Sequence, residues 1–127
     1  MAVKFLSPEW ADAVKAELNG NDSFRSAATG QRATLQQVIT SDEGETHYWI
    51  KIADGGIDLG VGDVDAPDAT ITQSYGTAVA LAKSELSAVT AFMTGTIRVA
   101  GNMGLLLGLQ GALAQLPVAM QAIDTEY

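Results

Sequence analysis

A chain of 127 residues is long enough for one core, and a composition of 47% hydrophobic but only 17% charged residues carries more apolar material than a disordered chain would. The net charge is −8, and the seven basic residues (Lys4, Lys15, Arg25, Arg32, Lys51, Lys83, Arg98) are scattered, which argues against nucleic acid as a partner and against electrostatic docking on anionic membranes. With no cysteine there is no disulfide, no thiolate nucleophile and no Cys-based metal site.

The opening Met1 to Leu6 is too short an apolar stretch for a secretory signal, and acids follow at Glu9 and Asp12, so a cytoplasmic protein is expected. Ser7-Pro8-Glu9 supplies a cap, a proline at the first helical position and an early acid. Trp10, Val14 and Leu18 then recur at helical spacing up to Gly20, predicting a helix over 8–19. A polar joint, Asn19 to Asp22, leads to a short second helix over Phe24 to Thr29.

Strand signals take over at Ala33 to Thr40 and, after the turn Ser41 to Glu45, at Thr46 to Ala53. In the second of these Tyr48, Ile50 and Ile52 alternate with His47, Trp49 and Lys51, so one face is apolar and the other mixed. Asp54-Gly55 is a hairpin signal, because both residues tolerate positive φ, and it opens a strand over Ile57 to Val61. The loop Gly62 to Asp68 precedes a fourth strand, Ala69 to Gln73. Thr77 to Lys83 and Ser87 to Thr94 then read as helices, Thr96 to Ala100 as a fifth strand, and Asn102 as the cap of one long helix to about Leu116, where Pro117 interrupts. The expected plan is a single α+β domain over 1–127, a five-stranded, mostly antiparallel sheet with helices on one face.

From Val99 to Ile123 the chain carries no charge. A membrane helix of that length is disfavoured by Pro117, by the amides Asn102, Gln110, Gln115 and Gln121, and by the missing aromatic belt and basic flank. On a helical wheel Gly104, Gly108 and Gly111 form one smooth stripe, expected to lie against the sheet, and the leucines fill the remaining circumference. Mid-helix glycines each cost about 1 kcal/mol relative to alanine, so close approach of something else is the natural compensation. A helix apolar on nearly every side needs cover that so small a domain struggles to provide alone. An apolar ligand in an internal cavity, a partner subunit such as a second copy in a homodimer, or Val118 to Ile123 folded back as a flap would each supply it.

Chemistry is sparse. His47 is the one histidine, without a nucleophile elbow or orienting partners, and it reads as a bystander. No second His or Cys completes a metal shell, and Asp63 to Ser74 fails the calcium-loop pattern at its glycine and glutamate positions. Gly60-Val61-Gly62 lacks the third glycine and the helix of a dinucleotide fingerprint. No catalytic residue, cofactor or metal is assigned.

Three strings nonetheless stand out: Asp54-Gly55-Gly56-Ile57, then Gly62 to Asp68 running into Ala69-Thr70-Ile71-Thr72, and Phe92-Met93-Thr94-Gly95-Thr96-Ile97-Arg98-Val99-Ala100-Gly101-Asn102-Met103 ahead of the leucine-rich helix. With the order of elements, they resemble the sterol-carrier-protein-2 domain family over roughly Tyr48 to Leu109, with a weaker fit from Trp10. The resemblance implies an apolar tunnel between sheet and helices for a fatty acid, acyl-CoA, phospholipid or sterol, and a prokaryotic-type stand-alone member. It implies that the pocket draws on Leu81, Phe92, Met93, Ile97, Val99, Met103, Leu106, Leu107 and Leu109, to which Met120 is added from the C-terminal piece. The expected function is binding or transfer of an apolar molecule, with membrane contact, if any, transient and apolar. The competing reading is a non-catalytic interaction or dimerisation subunit using the Gly/Leu helix 102–116. A hydrolase built on His47 ranks last.

Overall fold

The computed structural model describes residues 2–86 and 88–126, apart from the side chains of Ala88, Val89 and Gln110. Strand β1 (Val3–Lys4) is followed by α1 (Pro8–Asn19), α2 (Asp22–Ala28), β2 (Ala33–Ser41), β3 (Gly44–Ala53), β4 (Gly56–Val61) and β5 (Ala69–Ser74). Next come α3 (Tyr75–Ala82), α4 (Ala88–Met93), β6 (Arg98–Gly101), α5 (Met103–Gly108), α6 (Gln110–Leu113), α7 (Gln115–Ala122) and β7 (Thr125–Glu126). The expected helix start at Ser87 lies outside the described residues. The five-stranded sheet has the order β4-β3-β2-β5-β6, antiparallel at every pairing except the central β2–β5, which is parallel.

Local chemistry explains the framework. The Ser7 hydroxyl accepts from the Trp10 amide (3.2 Å), Pro8 opens α1 and Gly20 closes it, which places Trp10, Val14 and Leu18 on one buried face. The side chain of Asn19 then clasps β4: its amide donates to the Ile57 carbonyl (3.1 Å) and its oxygen accepts from the Ile57 amide (2.9 Å). Asp54 (φ 54°) and Gly55 (φ 75°) make the β3–β4 turn with both central residues at positive φ, as the sequence predicts. Against the helices the sheet presents Leu35, Ile39, Ile50, Ile52, Ile57 and Leu59, all buried. On its other side Trp49 lies against Gly60, where a Cβ would sit 2.3 Å from the indole, and Lys51 stands over the ring at 5.4 Å.

Four expectations change. The single helix from Asn102 to Leu116 is three short ones, because the chain turns at Leu109, whose amide is shared between the Leu105 and Leu106 carbonyls (3.1 Å each). Pro117 does not interrupt: it is the third residue of α7, where the amide it lacks would have had no intrahelical acceptor. Gly104, Gly108 and Gly111 are exposed rather than set against the sheet; a Cβ at Gly111 would lie 3.5 Å from Ala27 of α2, and one at Gly104 would meet the side chain of the cap Asn102 at 3.6 Å. The fifth strand starts at Arg98 rather than Thr96, since the amides of Thr96 and Ile97 both turn back to the Ala91 carbonyl (2.8 and 3.2 Å) and close α4.

Among the described residues no helix is long and apolar enough to cross a membrane. Val118 to Ala122 belong to α7, which packs on α1 and α3. The sequence carries no signal for the parallel pair β1–β7, which joins the two ends of the fold through Val3 N–H to Asp124 O and Phe5 N–H to Glu126 O (2.9 Å each).

One crossing fixes the edge of the sheet. Asp68 donates its amide to the Thr34 carbonyl (2.7 Å), accepts the Thr34 amide on its carboxylate (2.8 Å) and accepts the Asn102 amide on its own carbonyl (2.9 Å). Gly101 (φ 116°) passes directly over it, and a Cβ there would lie 2.5 Å from the Asp68 carbonyl oxygen. Gly101→Ala is therefore expected to destabilise the protein by about 2 kcal/mol or more, from an L-residue held in a glycine-only conformation against backbone atoms. Urea unfolding of the variant and the parent measures it.

Candidate functional site

Strand register builds the site. The row Val61–Tyr48–Gln37–Ile71–Val99 runs across β4, β3, β2, β5 and β6 on the helix-facing side. At its centre Tyr48 and Gln37 are buried, with Trp10 of α1 edge-on to Tyr48 at 5.3 Å between ring centres. Toward the β6 edge Ile71 and Val99 are only half-buried. Helical cover is thus complete over this row at β2 and β3 and incomplete at both ends, over Val61 of β4 (44% exposed) and over Ile71 and Val99 of β5 and β6. A surface of this kind, apolar and partly shielded by short helices, can hold an apolar molecule.

The ten side chains expected from the sequence divide by burial. Leu109 (0% exposed) and Met120 (8%) lie in the main core, and Val99 and Leu106 pack on it half-buried. Leu81 and Met103 are also half-buried. Ile97 (8%) is enclosed at the α4–β6 turn. Phe92 (44%), Met93 (79%) and Leu107 (62%) face outward, at the end of α4 and on α5. The structure therefore brings Val99, Leu106, Leu109 and Met120 into one apolar cluster and leaves the last three at the surface.

Two clefts stand out among the described residues, and both are open. One, of about 600 Å³, is bounded by Lys83, by Met120 to Asp124 and by Thr125; the other, of about 310 Å³, by Asp22, Arg25, Ser26, Thr29, Asp54 and Gly55. Neither is the enclosed apolar tunnel expected from the sequence. Of the ten expected residues only Met120 reaches the larger one.

Ile71 was not among the expected residues, although strand alternation carries the signal: Ala69, Ile71 and Gln73 share a face, and Ala69 and Gln73 are buried. The two glutamines beside it, Gln37 and Gln73, are also on this side, joined by Gln73 Nε2 donating to Gln37 Oε1 (3.2 Å). Sequence reasoning found no role for either.

His47, on the opposite side of β3, does have orienting partners. Its Nε2 meets the Glu45 carboxylate at 3.0 Å and its Nδ1 meets the Asp63 carboxylate at 2.5 Å. These hydrogen bonds, Glu45 first, raise its pKa above the ordinary 6.5 against a smaller opposing effect of burial. Asp63 belongs to the loop after β4, which Gln36 also pins by accepting the Val64 amide (2.8 Å) and donating to the Gly62 carbonyl (3.2 Å). With both ring nitrogens engaged by carboxylates the His47 ring ties that loop to β3. No group of three or more His, Asp or Glu side chains among the described residues could hold a metal ion.

The sequence profile of the SCP-2 sterol transfer family matches residues 9–114. A search of curated protein sequences finds no match. Among solved structures, the chain is similar to a crystal structure of sterol carrier protein 2, with a TM-score of 0.82 at 19% identity, covering 94% of this chain and 99% of that one. A conserved hypothetical protein from Thermus thermophilus, described as possibly a sterol carrier protein, is similar with a TM-score of 0.80 at 17% identity, covering 98% and 93%. Palmitated SCP2L2 from Aedes aegypti is similar with a TM-score of 0.63 at 18% identity, covering 92% and 96%. At these identities the structural likenesses concern the fold.

For the His47 tie, a pKa raised in the folded state means that the stabilisation is fully present below pH 6.5 and is lost as pH rises through the higher folded value. Titration of the His47 ring by NMR is expected to give a midpoint above 6.5, moving down in Glu45→Gln and in Asp63→Asn.

Proposed function

The chain belongs to the SCP-2 sterol transfer family, and from that premise we propose that it binds an apolar ligand on the helix-facing side of β5 and β6 and passes it on without chemical change. The observation that carries this reading is the incomplete cover over Ile71 and Val99. These two side chains stand half-buried on a side of the sheet whose neighbouring positions on β2 and β3 are sealed. An apolar chain laid there completes the burial that the short helices leave unfinished, and each methylene removed from water contributes about 0.8 kcal/mol. The palmitated mosquito relative supports an acyl chain as the guest.

Val99, Leu106, Leu109 and Met120 form the inner wall, and Leu81, Ile97 and Met103 extend it. Phe92, Met93 and Leu107, exposed on α4 and α5, form the outer rim that a guest meets on entry. A transient contact with a membrane or with a second copy would involve this rim, because these three side chains are exposed and apolar. Binding of this kind needs no nucleophile, general base or cofactor, and the His47 cluster lies on the other side of the sheet, so the protein acts as a carrier and not as an enzyme. The chain's lack of cysteine fits a reducing, cytoplasmic setting.

Native mass spectrometry of the purified protein tests the carrier reading directly: a retained lipid is expected. A tight dimer that takes up no lipid would replace this reading with the interaction subunit. For the wall, Leu106→Glu should weaken uptake of a fluorescent fatty acid about tenfold or more, since a carboxylate on the wall must lose water when an apolar guest covers it. Circular dichroism establishes that the variant is folded. Unchanged uptake by the folded variant would displace the site from α5.

A further inference from the structure

The residue that fastens α1 to the sheet is followed by glycine. Of the three asparagines, Asn19, Asn21 and Asn102, only Asn19 precedes one. An Asn-Gly pair leaves the side-chain carboxamide open to attack by the next backbone nitrogen, because glycine has no Cβ to shield that nitrogen. Asn19 is half-buried at the end of α1 and Gly20 is exposed, so water and hydroxide reach the joint. Two sets of hydrogen bonds hold back the reacting atoms. Ile57 engages the Asn19 carboxamide at both ends, accepting from its nitrogen (3.1 Å) and donating to its oxygen (2.9 Å). The Gly20 nitrogen is engaged as well, donating to the Ala16 carbonyl (3.2 Å) where α1 closes.

We propose that Asn19-Gly20 is a latent deamidation site, shielded by the contact with Ile57, and that conversion there releases the end of α1 from β4. The reaction consumes only water. The Gly20 nitrogen, having given its proton to hydroxide, forms a bond to Asn19 Cγ. The bond from Cγ to Nδ2 breaks, and Nδ2 takes a proton from water and leaves as ammonia, which regenerates the hydroxide. Water then opens the cyclic imide at either of its carbonyls and leaves a carboxyl group, on an ordinary aspartyl or on an isoaspartyl backbone. Nothing is oxidised or reduced.

The product cannot remake the contact. A carboxylate only accepts, so it loses the bond to the Ile57 carbonyl and sets negative charge against that oxygen. It also stands at the C-terminal end of α1, where the helix carbonyls point and where the last turn carries no basic residue to offset it. In the isoaspartyl form the main chain gains a carbon next to the Gly20 cap. Lys15 of α1 and Asp58 of β4 still pair (3.0 Å), but at the surface, where an ion pair contributes little. Gly56, which opens β4, gives a means of loosening the contact without touching the reacting atoms: a Cβ there would lie 3.2 Å from Asn19 Oδ1 and press on it.

The full chain is incubated in one mildly alkaline buffer, folded and in guanidinium chloride, and peptide mass mapping locates the mass gain of an amide turned acid. Conversion at Asn19 is expected to run about tenfold or more slowly in the folded protein, the protection that paired hydrogen bonds give a group reacting only from an opened state. Gly20→Ala is expected to suppress conversion and to leave the fold intact, because a Cβ at Gly20 makes ordinary contacts with the Ala16 and Glu17 carbonyls, at 3.5 and 3.8 Å. Gly56→Ala is expected to speed it severalfold in the folded state alone. The converted protein, separated by its added negative charge, is expected to unfold at a lower urea concentration than the parent. Equal rates in the folded and unfolded chain overturn the proposal, as do an unchanged rate in folded Gly56→Ala and a converted protein with the urea midpoint of the parent. The comparison of folded with unfolded chain needs no variant and decides the matter if Gly56→Ala does not fold. All of these outcomes are independent of the carrier reading.

Discussion

The placement of everything beyond β5 depends on a crossing of main chain over main chain at Gly101 and Asp68. β6 can pair with β5 to its end only if residue 101 has no side chain, because any Cβ there meets the Asp68 carbonyl oxygen and the Ala69 backbone. Asp68 in turn is fastened to Thr34 at the start of β2 through its amide and its carboxylate. From this joint Asn102 emerges oriented to cap α5, its side-chain oxygen 3.0 Å from the Leu105 amide. The apolar helices that follow are thus started in a set direction by a hydrogen-bonded knot before their leucines pack on the core. Two of the three strings that resemble the family, the Pro67-Asp68 entry and the Gly101-Asn102 exit, are the two sides of that knot, and the third makes the Asp54-Gly55 hairpin. What the motifs specify is backbone geometry: a hairpin with two residues at positive φ and a crossing that admits no side chain.

Most of the sheet and the first helix were legible because each has a local cause. A cap and proline start α1, two residues at positive φ make the hairpin, and a period of two assigns Tyr48, Ile50 and Ile52 to the core. The region from 103 to 122 was not, for a physical reason. An uncharged stretch dominated by leucine, glycine and alanine fits one long helix or three short ones equally well by periodicity, and tertiary contacts such as that of Gly111 with Ala27 of α2 enter the choice. The β1–β7 pair was equally invisible, since two residues carry no periodicity and their partner is at the other end of the chain.

The candidate site was half legible. Leu109, Met120, Val99 and Leu106 join the apolar core, while Phe92, Met93 and Leu107 face outward at the end of α4 and on α5, where the apolar character of a residue does not tell which way it faces. His47 shows the opposite failure. Sequence spacing offered no reason to join it to Asp63, sixteen positions away, until the β3–β4 hairpin folded one onto the other. Gln37 and Gln73 escaped notice because an amide in a strand usually faces solvent, and their burial reflects tertiary cover, with α3 packed on β2 and β5.

The short pair β1–β7 closes a loop that spans almost the whole chain, yet it is secured by two residues on each side. Such a contact forms only once the core has brought its ends together, since the entropy of closing so long a loop is repaid by few bonds. By the same reasoning it is the first part of the fold to fray, and amide hydrogens at Val3 and Phe5 will exchange faster than those of β2 and β3. α7, which leads directly into this pair and packs over the core through Met120, therefore sits at the boundary between the most and the least protected regions of the molecule. The fold has a soft seam, and it runs along the helix that closes the apolar side.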